Sequence, residues 1–471
     1  MSPSTRLTSR VLAFATALVL AGCVLPPKNE PQLTLTPDAA LGLGTTNAPA
    51  VDAHWWHEYG DAQFERLAEA ALEHNPSLQQ ALARINLAQA QVQAATGTRQ
   101  PNTIISGEVT RQRYPENYIY PPPLAGNTYW SGDLSLRLSW DLDLWGRQRA
   151  LIDSVRTTTD ATRLDAAAAR LAITASLAQA YLDLDRAYSL VDIAVQSEAQ
   201  RRQILEITRK RIAAGLDTNV ELREAEAAVP QAELGRMQAE SARDVAVHRV
   251  VALTGGGASE YANIVRPTLA VEAALVVPDS LPADLLGRRP DILAARARAE
   301  SAKSLRSAAR ASFYPNVNLK AFVGFEAIGL DKLIEWDNHT VGAGPALSLP
   351  IFSAPRLKAQ YSGAVANEDL AIAAYNGAVV TAIQQTADQL TYVRSSALQL
   401  GKARESLAAA EDAYRLAQKR YQAGLANYLS VLATETQVLS ARTSYVDVLH
   451  SQAMARIGLL LAVGGNFSSR A

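Results

Sequence analysis

The feature that most limits what this chain can fold into is where its prolines are missing. Proline inside a helix costs about 3 kcal/mol, and the sequence has none between Pro123 and Pro230 and none after Pro355. Both stretches are rich in Ala, Leu, Gln, Glu and Arg, the strong helix formers. Each is interrupted at Ala214-Gly215-Leu216 or Ala423-Gly424-Leu425, where glycine can end a helix in the left-handed conformation. The pattern predicts four helices in two hairpins, with long arms over Arg147 to about Ala213 and Arg356 to Ala423. At 1.5 Å per residue each arm would run about 100 Å, too long for an ordinary globular domain.

The packing of these arms is written in their period. Leu400, Ala403, Leu407, Ala410, Tyr414, Ala417 and Tyr421 alternate at spacings of three and four, the seam of a coiled coil, and its small alanines allow close approach. The chain also repeats itself. Asn75-Pro76-Ser77-Leu78 leads to Pro101-Asn102 as Arg289-Pro290-Asp291-Ile292 leads to Pro315-Asn316, and Lys210-Arg211 before the first glycine is echoed by Lys419-Arg420 before the second. This is a tandem duplication. Residues 61–254 form the first repeat, with strands about 102–113 and 132–144 and a tip near 215. Residues 286–471 form the second, with strands about 316–325 and 341–351 and a tip near 424, and 255–285 link the two.

Each repeat places two strands before its hairpin. Leu134, Leu136, Leu138, Trp140, Leu142 and Leu144 alternate with Ser135, Arg137, Ser139, Asp141 and Asp143, one apolar and one polar face. The partner segment puts Ser106, Glu108, Thr110 and Gln112 on one face and Ile105, Gly107 and Val109 on the other. Each strand approaches the roughly 9 to 11 residues that cross a membrane at a tilt. Trp130, Trp140, Trp145 and Tyr314 fall near strand ends, where an aromatic girdle would sit. Four strands leave two open edges, which hydrocarbon does not tolerate, so several copies must pool strands. The fold class is mainly α with a small transmembrane β part.

The N-terminus reads as a lipoprotein signal peptide over residues 1–22: Arg6 and Arg10 precede an apolar run from Val11 to Leu20, and Leu20-Ala21-Gly22 precedes Cys23, the one cysteine in the chain. The run Leu20-Ala21-Gly22-Cys23 resembles the bacterial lipobox, and a lone thiol there, with no partner for a disulfide, favours lipidation of Cys23 over an incidental thiol. Val24 is not the aspartate associated with inner-membrane retention, so by resemblance to sorted lipoproteins outer membrane lipid is the expected partner. Residues 23–60 read as a lipid-anchored extended tether and equatorial segment, rich in proline.

A net charge of −1 gives no reason to expect nucleic acid. The sequence shows no phosphate-binding glycine loop, zinc-ligand spacing or nucleophile elbow. His54 and His57 flank Trp55-Trp56 without a completing ligand nearby, which favours a structural role. No enzyme activity, cofactor or metal is expected.

On Arg288-Arg289-Pro290-Asp291-Ile292, Phe313-Tyr314-Pro315-Asn316-Val317, Trp140-Asp141-Leu142-Asp143-Leu144-Trp145-Gly146-Arg147 and Leu349-Pro350-Ile351-Phe352, the chain resembles the TolC-like outer membrane factors of the lipidated NodT type. The resemblance implies a homotrimer with a 12-stranded β-barrel and a long periplasmic α-helical coiled-coil barrel. It also implies a passive exit duct for drugs or other small molecules, partnered by a periplasmic adaptor protein and an inner-membrane transporter. By the same resemblance Arg211, Gly215, Leu216, Arg420, Gly424 and Leu425 lie at the periplasmic aperture and adaptor-docking tip. The acidic position that often rings the closed mouth is here Ala433; Glu221, Glu224 and Glu435 are the nearest acids, as substitutes or as residues of a solvated helix face. A lipid-anchored coiled-coil tether without a pore is the alternative, and it leaves the four amphipathic strands unexplained.

Overall fold

The computed structural model describes residues 26–37, 55–269, 289–350 and 353–465. The signal peptide, Cys23, His54 and most of the 255–285 linker lie outside them. The described α-helices are α1 (Ala62–His74), α2 (Pro76–Gly97), α3 (Arg147–Ala213), α4 (Asn219–Thr254), α5 (Pro290–Ala311), α6 (Ala354–Gln422) and α7 (Tyr428–Ala462). The strands are β1 (Asn102–Arg113), β2 (Thr128–Asp141), β3 (Asn316–Ile328) and β4 (His339–Ser348).

Two compact units cut across the sequence repeats. One comprises residues 26–35, 85–162 and 295–375 of the described chain, the other 36–84, 163–294 and 376–465. Each draws segments from both halves of the chain.

The first unit contains an antiparallel sheet in the order β1-β2-β3-β4. Its register sorts the side chains. Ile105↔Leu136↔Val323↔Val341 and Gly107↔Leu134↔Phe325↔His339 form rows on one face, whereas Glu108↔Asp133↔Glu326 and Ser106↔Ser135↔Gly324↔Thr340 lie on the other. Ile105, Val109, Leu134, Leu136, Val323 and Val341 are all exposed. Among the described residues β1 and β4 each have one unpaired edge.

β2 ends at Asp141, short of the expected Leu142 and Leu144. Asp143 takes a positive φ of 48° and its carboxylate accepts from Gln148 and Arg149 N–H, 2.8 Å each, capping α3. The strand gives way to a helix start. Ile351, assigned to β4, lies outside the described residues.

In the second unit Leu400, Ala410, Tyr414 and Tyr421 of the expected seam are buried while Ala403, Leu407 and Ala417 are half-buried, and Tyr414 and Tyr421 join Ile204, Tyr428, Val431 and Val438 in one core. A larger core gathers Trp55, Trp56, Phe64, Leu177, Tyr181, Val250 and Ile457. One expectation is corrected: Pro230 lies inside α4. It occupies an exposed position, where water can satisfy the carbonyl left without a donor.

Candidate functional site: the two helical turns

Both turns close with the same hydrogen bonds. In the first, Leu216 N–H donates to Arg211 C=O at 2.9 Å and Gly215 N–H to Ile212 C=O at 2.9 Å. In the second, Leu425 N–H donates to Arg420 C=O at 2.8 Å and Gly424 N–H to Tyr421 C=O at 3.0 Å. These are paired Schellman motifs, with φ of 74° at Gly215 and 78° at Gly424. The residue after each glycine lies largely in the open: Leu216 is 61% exposed and Leu425 73%. Val220 and Leu429, one turn further on, are exposed as well. Each turn therefore presents apolar side chains to its surroundings.

The sequence likeness of the turns conceals an electrostatic difference. Arg211 is buried, and its Nε and Nη2 donate to the two oxygens of Asp217 at 2.8 and 2.9 Å. Its Nη1 donates to the Tyr421 carbonyl at 2.8 Å, and the guanidinium lies 4.4 Å over the Tyr421 ring. Tyr421 Oη donates to Asp217 at 2.7 Å and lies 3.0 Å from the Thr208 hydroxyl. The hydrogen bond from Arg211 holds the Asp217 carboxyl below its ordinary range, while burial pushes the Tyr421 phenol up to about 12. Arg420, the counterpart of Arg211, is exposed. The counterpart of Asp217 is Ala426, so the second turn cannot form the same clamp.

The three acids fare differently. Glu221 completes a capping box with Thr218, its carboxylate accepting from Thr218 N–H at 2.9 Å and from the Thr218 hydroxyl. Glu224 is exposed. Glu435 does not lie on a solvated face. It is fully buried, 2.9 Å from Arg201 Nε, because Tyr428, Val431, Glu435 and Val438 follow one another at three- and four-residue spacings and form the buried stripe of α7. Those spacings were readable in advance. Burial pushes the Glu435 carboxyl up to about 7 against the opposing charge of Arg201. Sequence reasoning alone passes over Asp217 and Arg201. The mismatch between Asp217 and Ala426 at equivalent repeat positions was the available signal.

His57 Nδ1 lies 3.0 Å from Glu65, a local contact, and Gly255 caps α4 with φ of 77°.

The sequence matches the outer membrane efflux protein family over residues 67–256 and 281–465. The fusaric acid resistance protein FusA of Burkholderia cepacia is 35% identical over 372 residues, 77% of this chain and 70% of that protein. Outer membrane protein OprJ of Pseudomonas aeruginosa is 30% identical over 464 residues, 97% of this chain and 96% of that one. The solved structure of the outer membrane protein VceC of Vibrio cholerae shares the fold with a TM-score of 0.83 at 34% identity, covering 89% of this chain and 100% of that one. Two helical hairpins with matching turns, a sheet with an exposed apolar face and these matches lead to one conclusion: the chain belongs to the outer membrane efflux protein family.

Proposed function

We propose that three copies of this chain pool their four-stranded sheets into a 12-stranded barrel and their hairpins into a periplasmic helical duct, the outer membrane channel of a tripartite efflux system. The observation that carries this reading is the exposed apolar face of the sheet between its two open edges. Trp130 and Trp140 bracket the Leu134 and Leu136 rows on β2, and ten residues of strand tilted by about 40° span about 25 Å, the height of an outer-membrane apolar band. Arg111, 5.7 Å from the Trp130 ring, and Trp145, stacked on Tyr314 at 4.9 Å, suit interfacial positions.

Cys23 is the proposed lipid anchor. The segment after it follows α6: Tyr361 Oη donates to Asn29 C=O at 3.0 Å, and Leu33 N–H donates to Asp369 at 2.9 Å. Four residues of extended chain and eight of helix both cover about 12–13 Å, so the segment runs along the helix. Internal duplication with the repeat limits given above remains our reading of the domains.

At the proposed periplasmic tip, Gly215, Leu216, Arg420, Gly424 and Leu425 meet the adaptor, and Arg211 works from within by holding Asp217 and Tyr421. The solutes are small organic toxicants, by likeness to relatives named for fusaric acid and multidrug resistance. The test is oligomeric mass and planar-bilayer conductance of the detergent-purified protein beside a Cys23→Ser form carrying a replacement signal peptide. A trimer with low resting conductance in both forms supports the duct. A water-soluble, non-conducting Cys23→Ser form would favour a coiled-coil tether.

A further inference from the structure

The external loops of the two strand hairpins fold over opposite faces of the sheet. After β1, Tyr114 continues the ladder, donating to Asn127 C=O at 2.9 Å and accepting from Gly126 N–H at 3.0 Å. It is buried against Tyr120, ring centroids 4.8 Å apart, with Tyr129 at 6.3 Å. Tyr129 alternates with Ser131, Asp133 and Ser135 along β2, and its Oη donates to Pro123 C=O at 3.0 Å. Alternation places the anchor of this loop on the polar face.

The loop between β3 and β4, residues 329–338, goes the other way. A Cβ at Gly132 would lie 2.9 and 3.1 Å from the Leu333 methyls and 3.2 Å from Leu330, and Gly132 alternates with Leu134 and Leu136 on the apolar face. Gly132 and its cross-strand partner Ala327 are both buried beneath this cover. At the far end of the loop the Trp336 ring stacks on His339, centroids 5.0 Å apart, and His339 pairs with Phe325 on that same face. Two anchors thus hold the loop flat on the apolar side. The side chains it then turns outward are apolar as well: Ile334 is 75% exposed and Trp336 76%. They add to the exposed apolar residues Val341 and Val323, while Asp331, Lys332, Glu335 and Asp337 intersperse charges suited to a headgroup layer.

We propose that the β3–β4 loop is a lipid-docking flap, seated on the barrel's outer wall with Ile334 and Trp336 among the acyl chains of the surrounding outer membrane lipid. The inference rests on the barrel reading. Indole at such a position gains from burying its apolar body while its N–H stays near the wet interface. The β1–β2 loop, anchored on the polar face, takes no part.

The experiment is tryptophan quenching by brominated phospholipid, with the full-length protein reconstituted in bilayers. The Trp336 signal is isolated as wild type minus Trp336→Phe, and Val341→Trp reports on the sheet face itself. The flap predicts that the Trp336 difference emission loses most of its intensity in brominated lipid and resists aqueous iodide. Gly132→Val, which fills the seat of Leu330 and Leu333, should reverse that preference. Quenching of Val341→Trp by bromine, with Trp336 quenched only by iodide or by neither agent, would overturn the flap and leave the barrel standing. Failure of bromine to quench either probe would overturn both.

Discussion

Arg201 Nε lies 2.9 Å from Glu435 Oε1, and that carboxylate has no exposure to solvent. Neither of its oxygens meets hydrogen-bond geometry with a donor among the described residues, so the pair is an electrostatic contact inside the helical core. Tyr414 and Tyr428 flank it, both phenols raised first by burial, and Arg442 adds a second positive charge near Tyr414.

The pH dependence follows from the raised Glu435 pKa. Protonated Glu435 is favoured in the folded state, so its contribution is complete below the ordinary value of 4.5 and lost as pH rises through about 7. A shift of that size corresponds to roughly 3 kcal/mol. Glu435→Gln should therefore gain stability over wild type between pH 5 and pH 8, read from unfolding midpoints at both. Arg201→Ala should cost about 3–5 kcal/mol at pH 8 and less at pH 5, where the carboxyl is protonated. Equal losses at both pH values would show that the pair does not titrate as described.

Asp217 acts in the opposite sense. Its lowered pKa gives stability that is present above the ordinary value of 3.8 and lost as pH falls through the folded value. Asp217→Asn leaves the buried Arg211 guanidinium facing a neutral amide, at a local cost of about 1–3 kcal/mol. Amide exchange at Leu216 should accelerate accordingly at pH 7. Ala426→Asp, at the equivalent place in the second turn, should not slow exchange at Leu425, because Arg420 is exposed.

The two turn glycines separate shape from recognition. A Cβ meets nothing within 4 Å at Gly215 and only the Arg211 guanidinium at 3.8 Å at Gly424. Gly215→Ala and Gly424→Ala should each cost about 1 kcal/mol through the left-handed backbone alone. Leu216→Asp and Leu425→Asp should leave the unfolding midpoint within experimental error and weaken adaptor binding, measured by surface plasmon resonance with the purified adaptor. Unchanged binding in the double variant would remove these leucines from the docking surface.

Within the sheet, glycines are not interchangeable. A Cβ at Gly324 would stand 2.4 Å from the Leu134 carbonyl oxygen and 2.7 Å from the Ser135 Cα, backbone that cannot yield, whereas Gly344 has open space. Gly324→Ala should reduce the yield of assembled, heat-modifiable oligomer on gels, and Gly344→Ala should not.

Much of this protein was legible without coordinates. Proline-free stretches, turn glycines and alternating strands are local signals, and each is enforced by neighbours in the chain: Gly215 and Gly424 by the backbone angle their turns need, Leu134 and Leu136 by the pleat. The heptad spacing of Tyr428, Val431 and Val438 was equally local, and it carried Glu435 into the core with them. What only the tertiary structure decided is which residues from distant segments meet. Arg211 and Asp217 are six positions apart, but the Tyr421 that completes their clamp comes from the other repeat. Arg201 finds Glu435 across the packed helices, and the two strand loops choose opposite faces of one sheet. Periodicity specifies a face, whereas a pairwise contact depends on register between elements, and no single segment of the sequence carries that register.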